Sequence, residues 1–219
     1  MRSLVVAILF SFGLQISAQD IPRDLLGSKE VEFFGMDFSF LRLIHQDGFV
    51  DKNGKPMCKS LPFKYFAEWN ALFVIERDKF SVTRYFSIPK YSVSLDEVTV
   101  RNKAYAFEED CIIENEDYDV DEAQIQEAIS HYNGKNSAGI GLTLFMVSLN
   151  KEKNIAVMHY AFFQIEDHSI IYHQRLTGTP VGMGFRNYWV NAMDNALEPV
   201  MKDFAKARTG FESARFEVV

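Results

Sequence analysis

Three segments, AGIGLTLFMVSL (138–149), IAVMHYAFFQI (155–165) and SIIYHQRL (169–176), decide the fold predicted for this chain. Each is apolar over a strand's length and rich in β-branched and aromatic residues, a composition typical of strands. Only the short polar links NKEK and EDH separate them, and links this short join neighbouring antiparallel strands. The sequence therefore predicts an antiparallel three-stranded meander in the C-terminal half.

The predicted fold class is α/β of the α+β kind, an antiparallel sheet with helices packed on it. The first meander strand, 138–149, is apolar on both faces, which indicates that both faces of the sheet are covered. Upstream, MDFSFLRLI (36–44) and FSVTRYFSI (80–88) predict further strands, whereas residues 19–35 predict an irregular lead-in. No repeat or linker interrupts the chain, so a single domain over 19–219 is expected.

Three helices are predicted from apolar residues that recur at steps of three and four. The first lies within 58–80, and the third spans about 185–207. The second spans about 122–132. It follows Asp121 and Gln124, which have the spacing of a capping box at a helix N-terminus.

The N-terminus has the pattern of a secretory signal over residues 1–18. Arg2 precedes an apolar run at 4–14, which is too short to span a bilayer, and Ala18 supplies the small residue before cleavage. An uncleaved anchor is the alternative, and no later segment is apolar enough to span a membrane. The predicted localisation is therefore periplasmic or secreted. With 23 basic and 30 acidic side chains, the chain is expected to repel nucleic acid.

The cysteines and histidines predict no metal site and no cofactor. Cys58 and Cys111 can form one disulfide in an oxidising compartment, or remain two buried thiols, and their spacing leaves both open. The histidines form no local metal-binding motif. His159 and His173 lie on neighbouring strands, but with a two-residue turn at 167–168 they are expected to point to opposite faces.

An acidic segment, 108–122, invites a calcium-binding interpretation that its spacing does not support. The calcium loop requires glycine at its sixth position and glutamate at its twelfth. Registers that start at Asn115 or at Asp117 supply neither residue. The segment is predicted to be a solvated acidic loop that ends at a helix N-terminus.

The segment GTPVGMGFRNYW (178–189) resembles a phosphate-binding loop but lacks its defining residues. Asn187 stands where the dinucleotide fingerprint has its third glycine. The glycines are instead predicted to let the chain turn sharply into the last helix. Arg186, with Gly182 and Gly184, remains a candidate anion site because a helix N-terminus exposes N–H groups.

Three motifs together resemble a family of secreted proteins of unknown function from Bacteroidota. They are FFGMDFSFLRLI (33–44), EWNALFVIERDKF (68–80) and GTPVGMGFRNYW (178–189). The order of predicted elements also resembles the periplasmic fold of curli-secretion-factor and lipoprotein-activator-like domains. That resemblance implies binding to other envelope proteins, although this chain lacks the lipid-anchor cysteine of those domains.

These observations predict a non-catalytic envelope module that binds a protein partner or itself. The absence of catalytic motifs and the abundance of aromatic residues favour this function over an enzyme. One alternative is a hydrolase of glycans or peptides with carboxylates such as Asp37, Glu68 or Glu76 in a cleft. Another is a small-ligand binder with an apolar pocket.

Overall fold

The computed structural model describes residues 20–105 and 111–216, except for the side chains of 215 and 216. The predicted signal segment, 1–18, lies outside the described residues. The helices are α1 Arg23–Gly27, α2 Ala67–Ile75, α3 Val82–Phe86, α4 Asp96–Ala104, α5 Glu122–Ile129 and α6 Phe185–Phe216, with a π-helix at Pro62–Phe66. The strands are β1 Glu30–Asp37, β2 Arg42–Ile44, β3 Lys90–Val93, β4 Ile112–Ile113, β5 Ile140–Asn150, β6 Ile155–Gln164 and β7 Ile170–Gly178.

The seven strands of the described residues belong to one sheet with β5 at its centre. Along one edge of β5, β1 and β2 lie end to end, and both pair with it in parallel. Each of them pairs in parallel with one further strand, β1 with β3 and β2 with β4. Along the other edge, β5 pairs antiparallel with β6, which pairs antiparallel with β7. The sheet curls into a half-barrel flanked by helices.

The prediction of an antiparallel sheet is wrong, because β1 to β5 are joined by four parallel pairings. Parallel neighbours need long crossover connections, and the chain between β1 and β5 contains α2 to α5. Alternating apolar residues and flanking turn residues identify a strand, but they do not show which distant strand pairs with it or in which direction. The architecture is mixed α/β.

Two segments upstream of the meander also differ from their predicted forms. The strand predicted over 36–44 is two strands, and β1 begins inside the stretch predicted as an irregular lead-in. The strand predicted over 80–88 is helix α3. Its N-cap is Ser81, whose hydroxyl accepts a hydrogen bond from the Arg84 N–H at 3.1 Å. Capping and packing override the β propensity of this aromatic segment.

Helices cover both faces of the sheet, as the two-faced apolar strands require. One face packs against α2, α3 and α6, where Trp69, Phe86 and Phe204 are buried. The other face packs against α5 through Ile125 and Ile129. The predicted capping box of α5 is confirmed, since both of its reciprocal hydrogen bonds are present.

Cys58 and Cys111, whose state the sequence left open, form a disulfide with a Cα–Cα distance of 6.1 Å. The bond joins the segment before the π-helix to the residue that precedes β4. It therefore ties the helical crossover to the edge of the sheet.

Gly178→Ala is expected to lower the free energy of unfolding by about 1–3 kcal/mol. An added Cβ at the end of β7 would lie 1.8 Å from the Ala192 carbonyl oxygen, so α6 would have to move. The matched control is Gly210→Ala in α6, where an added Cβ meets no atom within 4 Å. That control is expected to stabilise the protein by about 0.5–1 kcal/mol. Urea unfolding of both variants measures the contrast, and equal midpoints would contradict the close packing of β7 on α6.

Candidate functional site

An apolar groove of about 300 Å³ lies between α2 and α4. Its walls are mainly apolar, with Phe66, Ala71, Val74, Ile75 and Leu95 among the lining residues. The π-helix that precedes α2 contributes one end of the groove. An apolar concavity of this kind is suited to binding apolar side chains.

The buried polar groups of the groove are already hydrogen-bonded to β1 and its neighbours. Asn70 Nδ2 donates to the carbonyl oxygens of Met36 (3.0 Å) and Phe66 (3.3 Å), and its Oδ1 accepts from the Met36 N–H at 2.6 Å. Asn102 Oδ1 accepts from the Phe38 N–H at 2.7 Å, and its Nδ2 donates to the Met36 carbonyl at 2.9 Å. These amides hold β1 in place and offer little to a polar ligand.

Exposed apolar side chains concentrate beside this groove. Phe63, Ile75 and Val100 are 71%, 69% and 67% exposed, and Val74 is also exposed. Val74 and Ile75 line the groove, while Phe63 and Val100 each follow a lining residue in the sequence. Large apolar groups on a water-exposed surface indicate a site where another molecule covers them.

A second cluster lies at the carboxyl edge of the sheet, beyond the ends of β2, β4 and β5. His45 Nδ1 lies 2.7 Å from Glu114 Oε2, and its Nε2 lies 2.9 Å from Glu116 Oε1. Glu152 Oε2 approaches the same Nε2 at 3.7 Å. The hydrogen bonds to Glu116 and Glu114 raise the pKa of His45.

The glycine segment before α6 turns the chain as predicted. Gly182 and Gly184 have positive φ angles of 103° and 79°, which side chains rarely adopt. The pocket of about 280 Å³ beside them is lined by Lys151 rather than by Arg186. The Lys151 ammonium lies 3.6 Å from the centroid of the Tyr188 ring, a cation–π contact.

Arg186, the predicted anion-binding residue, is already paired with carboxylates. Its Nε lies 3.1 Å from Glu68 Oε2, and its Nη2 lies 3.8 Å from Glu76 Oε1. Two nearby negative charges weaken the attraction of this guanidinium for an added anion. The anion site stays a prediction.

The carboxylates of the hydrolase hypothesis lie in different environments. Asp37 is fully buried, and its Oδ2 accepts hydrogen bonds from Arg101 Nε and from the Tyr132 hydroxyl. Glu68 and Glu76 are partly exposed surface groups. Burial against a guanidinium gives Asp37 a structural role rather than that of a substrate-facing acid.

His159 and His173 lie on the same face, in contrast to the prediction. The β6–β7 register shifts between Phe162 and Phe163, and Ile171 has no partner on β6. One unpaired residue reverses the face of every side chain beyond it, so His173 turns to the side of His159. Turn residues alone do not reveal such a shift.

The two histidines belong to a polar cluster that includes Asp119 of the acidic loop; His159 is buried, His173 and Asp119 are half-buried, and the outer members are exposed. His159 Nε2 lies 2.8 Å from Asp119 Oδ1, and its Nδ1 lies 2.6 Å from His173 Nε2. His173 Nδ1 faces Glu122 Oε2 at 3.8 Å, and Arg175 pairs with Asp119. Although burial opposes it, the hydrogen bonds from Arg175 and His159 lower the pKa of Asp119. These side-chain contacts join β6 and β7 to the segment that leads into α5.

Acidification from about pH 7 to pH 5 is expected to weaken the fold through His159 and His173. Burial lowers the pKa of both rings. The unfolded chain therefore binds more protons below the ordinary histidine pKa of about 6.5. The stability that the two neutral histidines contribute is fully present above about pH 6.5, and it is lost as the pH falls through their lowered pKa values in the folded state.

Urea midpoints at a series of pH values test this expectation. His45 acts with the opposite sign because its pKa is raised, so variants are compared with the wild type at each pH. His173→Gln is expected to reduce the loss of stability on acidification, because burial lowers the pKa of this ring. Equal pH dependence in His173→Gln and the wild type would contradict the assignment.

Neither a protein-family model nor a curated protein matches the chain. The resemblances to the Bacteroidota family and to curli-secretion-factor-like domains therefore stay predictions. Within 20–105 and 111–216, none of the helices combines the length and the apolarity needed to cross a membrane.

Sequence reasoning identified neither the groove nor the cluster around His45. One local feature of the sequence indicates the groove. Val74 and Ile75 are adjacent apolar residues at the end of α2, and they lie outside the apolar stripe of that helix. The residues around His45 come from three distant segments. Only the parallel pairing of β2, β4 and β5 brings them together.

Proposed function

We propose that this protein is a non-catalytic module of the bacterial envelope or exterior that binds a partner protein through the groove between α2 and α4. The observation that carries the proposal is that two exposed apolar side chains, Val74 and Ile75, line this apolar groove. Phe63 and Val100, which are also exposed, each follow a lining residue in the sequence. Burial of such groups against a partner is favourable by about 25 cal/mol per Å² of apolar surface.

The chemistry of the groove favours apolar protein side chains over a polar small molecule. Asn70 and Asn102 use their amides to hold β1, so the floor provides few free donors or acceptors. Lys103 lines the groove and provides a cation for a carboxylate at the rim of the partner. The acidic balance of the chain disfavours nucleic acid as the partner.

The proposed location outside the cytoplasm rests on two observations. The segment over residues 1–18 has the pattern of a secretory signal. The disulfide between Cys58 and Cys111 is of a kind that persists in oxidising compartments. An envelope protein or a second copy of this chain are partners that such a location makes available.

Site-specific photo-crosslinking in intact cells that express the chain tests the proposal. A p-benzoylphenylalanine at Ile75 is expected to give a covalent product with one protein of defined mass. The same photoreactive residue at Met183, which is 90% exposed and far from the groove in sequence, serves as the matched control. Adding Val74→Asp to the Ile75 probe is expected to reduce the yield, because a charge in the groove opposes apolar contact.

The mass of the product distinguishes the two kinds of protein partner. A product of twice the mass of the chain identifies a second copy, and any other single mass identifies a different protein. Crosslinking at Ile75 that does not exceed the Met183 control, or that is insensitive to Val74→Asp, would overturn the proposal. Circular dichroism of each variant verifies that the fold is retained.

A further inference from the structure

The parallel half of the sheet places three loops at one edge. Ile44, Ile113 and Asn150 lie side by side at the carboxyl ends of β2, β4 and β5. The loops that begin there contain His45, then Glu114 and Glu116, and then Glu152. In open α/β sheets, ligands bind outside the carboxyl ends of parallel strands, so this edge is where a bound group is expected.

The imidazole of His45 has the surroundings of a metal ligand. Its Nε2 and one carboxylate oxygen each from Glu116 and Glu152 lie within 4.8 Å of one another. Its other ring nitrogen, Nδ1, lies 2.7 Å from Glu114 Oε2. Histidines that bind metals commonly donate their second ring N–H to a carboxylate, which fixes the tautomer and orients the ring.

The charge of the cluster also favours a cation. Glu114, Glu116 and Glu152 all approach the single ring of His45. Apart from His45, Lys153 is the one basic side chain that pairs with these carboxylates among the described residues, through Glu116. Its side chain is half exposed, so it can turn to solvent when Glu116 binds an ion. A divalent cation would neutralise the excess negative charge.

We propose that His45, Glu116 and Glu152 bind a divalent transition-metal ion of the Zn²⁺ class, with Glu114 orienting the imidazole. One nitrogen and two carboxylate oxygens are ligands that Zn²⁺ accepts, and three protein ligands leave a position open for water or for a further ligand. Ca²⁺ and Mg²⁺ prefer all-oxygen sites. The proposal is independent of the groove between α2 and α4.

The absence of any local metal motif is consistent with this arrangement. Sequence motifs report ligands that lie within a few residues of one another, as in a helix or a short loop. His45 and Glu152 are far apart in the sequence, and the ligands meet only because the strands that precede them are neighbours in the sheet. The cysteines are joined in a disulfide and supply no thiolate.

Titration calorimetry of the full mature chain, with its disulfide intact, tests the site with Zn²⁺ as the probe. One Zn²⁺ per chain is expected to bind, with no comparable binding of Ca²⁺ or Mg²⁺. His45→Gly is expected to abolish binding. It removes the imidazole and retains a residue that accepts the positive φ of 61° at this position. Glu152→Gln keeps the shape of the side chain and removes its charge, so it tests whether this second ligand contributes to Zn²⁺ binding.

The remaining variants test whether Zn²⁺ binds at His45 rather than at another histidine. Glu114→Gln is expected to weaken Zn²⁺ binding by about 10–100-fold, as for other residues that orient metal ligands. His131→Gln and His173→Gln are expected to bind like the wild type. The proposal is overturned if the wild type does not bind Zn²⁺, if His45→Gly binds as tightly as the wild type, or if His173→Gln loses binding instead. Denaturant unfolding of every variant verifies that each is folded.

Discussion

Replacing Trp189 with alanine is expected to lower the free energy of unfolding by about 3–5 kcal/mol. The indole is only 2% exposed and stacks on Phe49 with ring centroids 5.8 Å apart. Phe185 and Tyr188 also pack against it, at 6.4 Å and 5.0 Å. Truncation removes a large apolar surface and leaves a cavity where α6 begins, so both transfer and cavity contributions are lost.

Arg186→Ala is the matched control, three residues earlier on the same helix. Its ion pairs with Glu68 and Glu76 are partly exposed, so the expected loss is less than about 1 kcal/mol. Urea unfolding measures both variants, with and without added phosphate. The architectural interpretation of the glycine segment is contradicted if Trp189→Ala unfolds like the wild type. It is also contradicted if phosphate stabilises the wild type but not Arg186→Ala.

Asp37→Asn is expected to lower the free energy of unfolding by about 3 kcal/mol, the lower end of the range for breaking a buried ion pair. Arg101 Nε donates to Asp37 Oδ2 at 2.7 Å, and the Ser39 N–H donates to its Oδ1 at 2.7 Å. The substitution keeps the size of the side chain and leaves the guanidinium without its counter-charge. The lower end applies because the side chain of Arg101 is 21% exposed, so water compensates part of the loss.

Two further variants determine whether the buried charge is the cause. Adding Arg101→Met to Asp37→Asn is expected to restore part of the lost stability, because it removes the uncompensated cation. Glu76→Gln, at a partly exposed carboxylate, is expected to change stability by less than about 0.5 kcal/mol. If Asp37→Asn is as stable as the wild type and abolishes a hydrolytic activity, Asp37 is a catalytic group and its structural role is wrong.

The elements that the sequence predicted correctly are those specified by nearby residues. The capping box of Asp121 and Gln124 encodes the start of α5 because both groups lie within one helical turn. Gly182 and Gly184 adopt a positive φ, which glycine allows because it has no side chain. Neither feature depends on a distant partner.

The sequence did not predict the candidate sites, because each of them depends on residues that are distant from one another in the sequence. The groove requires α2 and α4 to lie side by side, and their contact is made through β1 and the amides of Asn70 and Asn102. The His45 cluster requires β2 to pair with both β4 and β5. Residues that are remote in sequence supply each site, so no local pattern contains it.

By itself, the sequence determined where α2, α5, α6 and the three strands β5 to β7 form, because periodicity and capping act over a few residues. It did not determine how the strands pair. The tertiary structure decided that β1 to β4 run parallel to β5, and that α3 is a helix despite its strand-like composition. It also decided, through one unpaired residue at Ile171, that His173 meets His159. Strand order and register depend on contacts between distant segments, whose free energy is defined only once the whole sheet has assembled.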